Sequence, residues 1–433
     1  MARFHIQNFG CRATQADGAA LATMLGKQGY EETDSAASAE MVVLNTCTVT
    51  ANADSDVREA VRRVHRVNPE ARILVTGCYA QRAPEELAAL PGVRWVVGNS
   101  HKTEIPRILA DSPASIDFHG EIVTGDIREL TTFLSAPVED AADRTRPNLK
   151  IQDGCNNACS FCVIPSVRGR SRSANADDVV AQVRSLAARY REIVLSGINL
   201  GRWGRDPGRV QGRLVQLIER LLEETPVERL RLSSVEPMDF SDELIALMSE
   251  SPRVAPHVHA PLQSGCDAVL KRMKRRYRSR HYADRVLRAR QAMPDAAIGA
   301  DVMTGFPGET EAEFEESRAF IESMPFTYLH VFTYSERPGT PAAAMPQTPV
   351  PERKRRNEVL RKLAAAKNLD FRRRFVGRRL SVVTLDPARP ALSANYLTVE
   401  MARPVEANRI VDAEIGAVTA AGLREAALLP VLG

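Results

Sequence analysis

KIQDGCNNACSFCVIP, residues 150–165, decides how the chain is read. A short strand signal, LKIQ (149–152), runs into a glycine, and Cys155, Cys159 and Cys162 follow as C-x3-C-x2-C. Thiolates are soft ligands that select zinc, copper(I) or iron–sulfur clusters. A structural zinc takes four ligands, and this run supplies three with no fourth beside it. A cubane also takes four, so three cysteines leave one iron open, which makes a reactive centre rather than a staple. The competing reading is a structural zinc completed by a distant histidine.

Downstream, five more strand signals follow: IVLSG (193–197), LRLSS (230–234), PHVHA (256–260), IGADVM (298–303) and YLHVFTY (328–334). Helical patterns such as Asp177 to Arg189, Leu214 to Glu224 and Ala283 to Ala292 separate them. Six β/α units predict a doubly wound sheet or a partial barrel, with function at the C-terminal strand ends. Upstream, FHIQNF (4–9), MVVLN (41–45) and RILVTG (72–77) alternate with helical patterns at Ala16 to Gln28 and Val57 to Val67, which predicts a parallel sheet. Cys11, Cys47 and Cys78 each fall just beyond one of those strands. Loops leaving the carboxyl ends of parallel strands line one crevice, so the three can converge; taken singly, each is equally a buried core cysteine. Ser112 to Pro147 reads as a connector with one or two short strands. After a basic helix from Pro351 to Phe375, LSVVTL (380–385), NYLTVEM (395–401) and RIVDAEI (409–415) predict a small β-barrel.

The chain has 433 residues, 44% hydrophobic and 26% charged, which excludes disordered and collagen-like classes. No apolar run approaches the ~18 residues of a membrane span, and the N-terminus has no apolar signal region, so a soluble, cytoplasmic protein is expected. Seven cysteines in such a chain are poor disulfide candidates. The net charge of +4 hides two basic runs, Lys271 to Arg280 with seven basic residues and Arg353 to Arg379 with twelve against two acids, leaving −13 elsewhere. Solvated helix faces are the bland explanation; two such runs on an acidic chain favour a polyanionic partner.

The C-x3-C-x-Φ-C spacing with Phe161 as the aromatic, after the first strand of six β/α units, resembles the radical S-adenosylmethionine superfamily. That resemblance implies a [4Fe–4S] cluster whose open iron chelates S-adenosylmethionine and whose electron releases a 5′-deoxyadenosyl radical. It also favours the partial (β/α)6 barrel for the core. The strings NFGCRATQADG (8–18), NTCTVTANAD (45–54), TGCYAQ (76–81), SSVEP (233–237), PLQSGCDAVLKRMKRRY (261–277), GFPGET (305–310) and YSERPGTPAA (334–343) resemble the methylthiotransferases across essentially the whole chain. The resemblance implies a second [4Fe–4S] cluster on Cys11, Cys47 and Cys78 that carries the sulfur to be transferred, and two S-adenosylmethionine molecules per turnover. Of the three known branches, NTCTVTANAD, TGCYAQ and VGNSHK (97–102) look most like the one acting on threonylcarbamoyladenosine in tRNA. The isopentenyladenosine branch typically reads NTCSIR at the second cysteine, and the branch acting on a ribosomal-protein aspartate reads NTCGFI. Cys266 stands where the family usually has serine, and is read as a small neutral replacement rather than a seventh ligand.

The expected division is a methylthiotransferase N-terminal domain at 1–113, a connector at 114–140, a radical core at 141–371 and an RNA-binding barrel resembling the TRAM domain at 372–433. The expected reaction inserts a methylthio group at C2 of the modified adenosine beside the anticodon. The clusters carry that chemistry, with no side-chain base. Phe161 and Glu236 are candidates on the S-adenosylmethionine side, the alternative for Glu236 being a surface glutamate. Ser196 and Asn199 are candidates for the methionyl group, against a tight turn made by Gly197 and Gly201; Gln263 is an even case of the same kind. His257 and His259 share one strand face and read as layer histidines. Arg168, Arg170, Arg172, Lys271, Arg275 and Arg276 are expected to meet RNA. The partners are then a tRNA anticodon stem-loop and an unidentified electron donor, with no membrane and a monomeric chain. A zinc-containing RNA-binding protein is the non-enzymatic alternative.

Overall fold

Strands buried on both faces need continuous apolar runs, and the first sheet is built on two of them. In a computed structural model describing residues 2–111, 120–134, 145–206, 208–386 and 390–427, Met41–Thr46 (β3) is buried at all six positions and Arg72–Gly77 (β4) at all but the first. Arg3–Asn8 (β1), Glu31–Glu32 (β2), Val93–Gly98 (β5) and Glu121–Val123 (β6) complete a parallel sheet in the order β2-β1-β3-β4-β5-β6. Arg12–Lys27 (α1) and Ala51–Val67 (α2) follow β1 and β3. The strand order reverses at β1, and the crevice at such a switch point is where ligands bind. The sheet has six strands where the sequence reading names three. β2 and β6 are too short and too acidic to make a pattern. Because β6 joins the first sheet, part of the expected connector belongs to that sheet; residues 112–119 and 135–144, where both expected boundaries fall, lie outside the described residues.

The core carries six parallel strands: Asn148–Asp153 (β7), Glu192–Gly197 (β8), Arg229–Leu232 (β9), His257–His259 (β10), Ala297–Thr304 (β11) and Tyr328–Thr333 (β12). β7, β8 and β9 form one ladder and β10, β11 and β12 another. A parallel bridge from Leu230 to Val254 and a hydrogen bond from Val235 N–H to the His259 carbonyl (3.0 Å) join them. Alternate residues point to opposite faces. Leu149, Ile151, Ile193, Leu195, Leu230, Leu232, Val258, Ile298, Ala300 and Val302 pack outward against the helices in one hydrophobic cluster. The intervening positions, Lys150, Gln152, Glu192, Ser196, Arg231, His257, His259 and Asp301, give the partial barrel a polar lumen.

Val350–Arg373 (α4) covers the outer side of β12 through Val359, Leu360 and Leu363. Beyond it, Arg379–Val383, Ala391–Ser393, Thr398–Glu400, Ile410–Val418 and Leu423–Glu425 (β13 to β17) form a closed barrel in the order β13-β14-β15-β17-β16. The turn before β15 plugs the base of the lumen. Arg231 pairs with Glu192 at 2.7 and 3.0 Å and donates to the carbonyls of Ser393 and Ala394. Tyr396, at φ +66, stacks on His257 with ring centroids 4.3 Å apart.

Buried charges join the N-terminal unit to the core. Asp17 of α1 receives Lys102 (3.1 Å), Arg168 (2.9 Å) and Lys150. Asp153 of β7 receives Lys150 (2.8 Å) and Arg168 (3.0 Å). Burial works to raise both carboxyls, but the surrounding cations outweigh it and hold Asp17 and Asp153 well below the usual carboxylate range. Their contribution to stability is therefore full above the unfolded-state value near 4 and is lost as pH falls below it. Removing one partner of a buried ion network costs about 3–5 kcal/mol because the others are left uncompensated. Asp17→Asn should lower the free energy of denaturant unfolding by that amount; an unchanged midpoint would show that the network does not hold the units together.

Candidate functional site

Cys11 caps the N-terminus of α1 and is exposed, whereas Cys47 follows β3 and Cys78 opens the short helix Cys78–Arg82 (α3), both buried. Two glycines make the approach possible. A Cβ on Gly10 (φ +90) would sit 2.5 Å from the Cβ and 2.7 Å from the Sγ of Cys47. One on Gly77 (φ +101) would lie 2.4 Å from the Thr46 carbonyl oxygen. Burial first, then the charges of Cys78 and Cys11, push the Cys47 thiol up to about 12. Burial also raises Cys78, with Arg168 opposing and Cys11 adding to the rise. The three sulfurs therefore lie within electrostatic reach of one another, beside a buried guanidinium.

In the core the loop after β7 turns at Gly154 (φ +69), where a Cβ would lie 2.0 Å from the Arg170 carbonyl oxygen. Each of its three sulfurs accepts a hydrogen bond. Cys155 Sγ faces the N–H of Asn157 (3.4 Å) and Asn199 Nδ2 (3.7 Å), Cys162 Sγ faces the N–H of Ile164 (3.4 Å), and Cys159 Sγ faces Arg275 Nη1 (3.3 Å). Burial lifts the Cys162 thiol to about 12. Thiolates at ~2.3 Å from one tetrahedral zinc stand about 3.8 Å apart. Among the described residues only His259, Asp301 and His330 bring three ligand atoms within 4.8 Å of one another. Neither cysteine set is drawn together to that spacing.

The strand ends around Cys155, Cys159 and Cys162 hold polar groups without partners in the chain. Ser196 Oγ, Asn199 Oδ1 and Ser233 Oγ are buried and unbonded, a state that buried polar atoms ordinarily avoid. Glu236, following β9, is raised by burial and opposed by Arg275, which it pairs with. The Arg275 guanidinium also lies over the Tyr277 ring at 5.0 Å. Gln263 bridges to Val302 with φ +67, past the end of β10. Phe161 packs edge-on to Phe306 at 6.4 Å. The Cys266 thiol donates to Glu316 (3.0 Å) and is lifted to about 11 by burial.

The basic residues divide. Arg170, Lys271 and Arg276 are exposed. Arg168, Arg172 and Arg275 are buried at 2%, 7% and 8% exposure, which corrects their reading as RNA contacts. Arg168 serves the ion network, Arg172 donates to the carbonyls of Arg168 and Arg170 (both 2.8 Å), and Arg275 braces Cys159 and Glu236. Asp17, Lys102, Lys150 and Asp153 escaped the sequence reading although NFGCRATQADG and KIQDG already contain three of them; charge alone does not announce a buried partner.

The model for "Uncharacterized protein family UPF0004" matches residues 3–98, and that for the radical SAM superfamily matches residues 149–321. The chain is 39% identical over 376 residues to threonylcarbamoyladenosine tRNA methylthiotransferase MtaB of Bacillus subtilis, covering 85% of this chain and 81% of that one. The chain belongs to the radical S-adenosylmethionine methylthiotransferase family. It is also 34% identical over 389 residues to the tRNA-2-methylthio-N(6)-dimethylallyladenosine synthase of Thermobifida fusca, covering 88% and 78%. Among solved structures, the radical S-adenosylmethionine methyltransferase TsrM from Kitasatospora setae superposes with a TM-score of 0.58 over 79% of this chain and 75% of that one. At 16% identity that likeness speaks for the fold alone. Family membership implies S-adenosylmethionine and a [4Fe–4S] cluster, and the bonded sulfurs of Cys155, Cys159 and Cys162 beside unpartnered polar groups fit both.

Groups that orient metal ligands typically carry 10–100-fold in metal affinity or activity. Arg275→Leu strips the donor from Cys159 and leaves Glu236 buried without its cation. The iron of the anaerobic protein should then be lost to a chelator about 10–100-fold faster. Equal rates would remove Arg275 from the site.

Proposed function

We propose that this chain methylthiolates C2 of N6-threonylcarbamoyladenosine beside the anticodon of tRNA, with two [4Fe–4S] clusters. Cys155, Cys159 and Cys162 would hold the one that binds S-adenosylmethionine, and Cys11, Cys47 and Cys78 the one that carries sulfur. The observation that carries this reading is the pair of three-cysteine sites joined by a single buried ion network, since Asp17 lies in the helix that Cys11 caps while Lys150, Asp153 and Arg168 flank the core cysteines. The bound groups would supply a radical able to remove hydrogen from an unactivated carbon and a sulfur to replace it. The chain's own residues would hold and orient: Asn199 and Ser196, with unpartnered buried oxygens, and Glu236 would receive the methionyl and ribosyl groups, and Gly10 leaves room for Cys47.

The strings around Cys47 and Cys78, and relatives named for threonylcarbamoyladenosine at up to 39% identity, favour that substrate branch. The RNA footprint is smaller than the basic runs suggest. Arg353 and Arg356 are buried against Glu336 and Glu309, Arg272 pairs with Glu313, and Arg374 and Arg378 share Asp295. Lys271, Lys274, Arg276, Lys354, Arg361 and Arg170 remain exposed for phosphates. The C-terminal barrel, read as a TRAM-like RNA-binding domain, abuts this surface through α4. All six cysteines come from one chain, which suits a monomer served by a separate electron donor. Among the described residues no helix is long and apolar enough to cross a membrane.

Deleting the gene should remove 2-methylthio-N6-threonylcarbamoyladenosine from bulk tRNA, with its unthiolated precursor accumulating in nucleoside mass spectrometry. Loss of the isopentenyl counterpart instead, or an unchanged profile, would overturn the substrate. Affinity for the anticodon stem-loop should fall with salt, and the double variant Lys271→Glu, Arg276→Glu should flatten the log–log slope by about 1–2. A wild-type slope near zero would deny the electrostatic footprint.

A further inference from the structure

The lumen of the partial barrel contains a second group of chemically capable side chains that neither cysteine site uses. They lie in three layers on β10, β11 and β12. At the base, the Tyr328 hydroxyl stands between His257 Nε2 (2.7 Å) and His259 Nδ1 (2.9 Å), above the Tyr396 ring. Gly299 makes room for this tyrosine, because a Cβ there would lie 1.9 Å from Tyr328 Cζ. In the middle, Asp301 Oδ1 meets both His259 Nε2 and His330 Nδ1 at 3.1 Å. Toward the mouth, Phe332 follows on the same face of β12 and pairs in register with Met303, which packs against the same apolar cluster as Phe161 of the cysteine loop.

Exposure rises along the same axis. His257 and His259 are buried, whereas the His330 side chain is 50% exposed and Phe332 49%. Both nitrogens of His259 are engaged, one on Tyr328 and one on Asp301. His330 places only Nδ1 on Asp301, which leaves its Nε2 open on the half-exposed side of the network. The base of the pocket is closed by the C-terminal barrel and by Arg12, whose guanidinium reaches the Tyr396 hydroxyl at 3.4 Å. Arg12 directly follows Cys11, so the base of the lumen touches the N-terminal unit. An exposed aromatic face beside an open imidazole is a stacking surface with a polar reader next to it.

We propose that His330, clamped on Asp301 and backed by His259 and Tyr328, reads the carboxylate of the threonylcarbamoyl arm, with Phe332 as the face against which the modified base lies. This rests on the substrate reading above and assigns residues to its specificity. With Nδ1 held on Asp301, the His330 ring is fixed so that Nε2 faces the ligand, where a hydrogen bond to a charged carboxylate is the strong kind. An isopentenyl arm has nothing to offer that position, and would take water from Asp301 and His330 without replacing it. The pocket therefore selects against an apolar arm as well as for an anionic one.

The test uses the anaerobically reconstituted full-length enzyme and three anticodon stem-loops, carrying N6-threonylcarbamoyladenosine, its methyl ester, or isopentenyladenosine. Dissociation constants come from fluorescence anisotropy and kcat/KM from product mass spectrometry. A hydrogen bond to a charged group predicts that wild type favours the acid over the ester by about tenfold or more. In His330→Ala the acid-to-ester ratio should fall to near one in both measurements, and His330→Gln, which keeps a neutral donor, should fall between. Half-exposed His330 can be replaced without disturbing the core, and Phe332→Ala should weaken acid and ester alike. A His330→Ala enzyme that still discriminates as wild type does, or a stoichiometric divalent ion that leaves only in that variant, would overturn the proposal. Wild-type activity on the threonylcarbamoyl stem-loop without preference for acid over ester defeats this inference alone, whereas activity on the isopentenyl stem-loop in its place defeats the substrate reading.

Discussion

Everything at the centre of this molecule hangs on Asp17 and Asp153, two carboxylates removed from water and surrounded by Lys102, Lys150 and Arg168. An apolar contact tolerates sliding; ion pairs of 2.8–3.1 Å do not. Asp17 lies in the helix that Cys11 caps, and Asp153 is two residues before Cys155. The network thus sets the position of one cysteine site against the other. Such a device is poor value as pure stabilisation, because well-packed apolar residues often do as well. Its benefit is a fixed geometry between the two cysteine sites.

The same charge economy runs through the core. A parallel sheet is usually apolar on both faces, but here one face is apolar and the other is a lattice of arginine, glutamate, histidine and tyrosine. Glu192 takes Arg231, and Arg231 in turn holds the carbonyls of Ser393 and Ala394. The C-terminal barrel is therefore part of the lumen rather than a tethered attachment. Its Tyr396, in a left-handed conformation that non-glycine residues rarely adopt, touches His257, Tyr328, Arg231 and Arg12. One ring thus meets all three regions of the chain.

Much of this was legible in the sequence. Cysteines placed just after strand signals gave both three-cysteine sets, and short apolar runs between helical patterns gave the six core strands, because these are local properties. The partners of buried charges are not local. Arg168 and Arg172 looked like a basic surface following a cysteine loop and Arg275 like part of a basic run, and only the fold shows that Asp17, 151 residues earlier, neutralises the first of them. The long basic helix was located correctly, yet Arg353 and Arg356 point inward to Glu336 and Glu309. The strand Thr398–Glu400 was read too long because nothing in NYLTVEM marks the tight turn at Tyr396. His259, Asp301 and His330 come from three separate strands, and their meeting follows from register alone.

Iron and acid-labile sulfide counted per chain in anaerobically purified protein address the heart of this account, the presence of two separate cluster sites. Wild type should hold about eight irons, and replacing either Cys11, Cys47 and Cys78 or Cys155, Cys159 and Cys162 by alanine should leave about four. About four irons in wild type, unaffected by one of the two triple replacements, or zinc in their place, would contradict it.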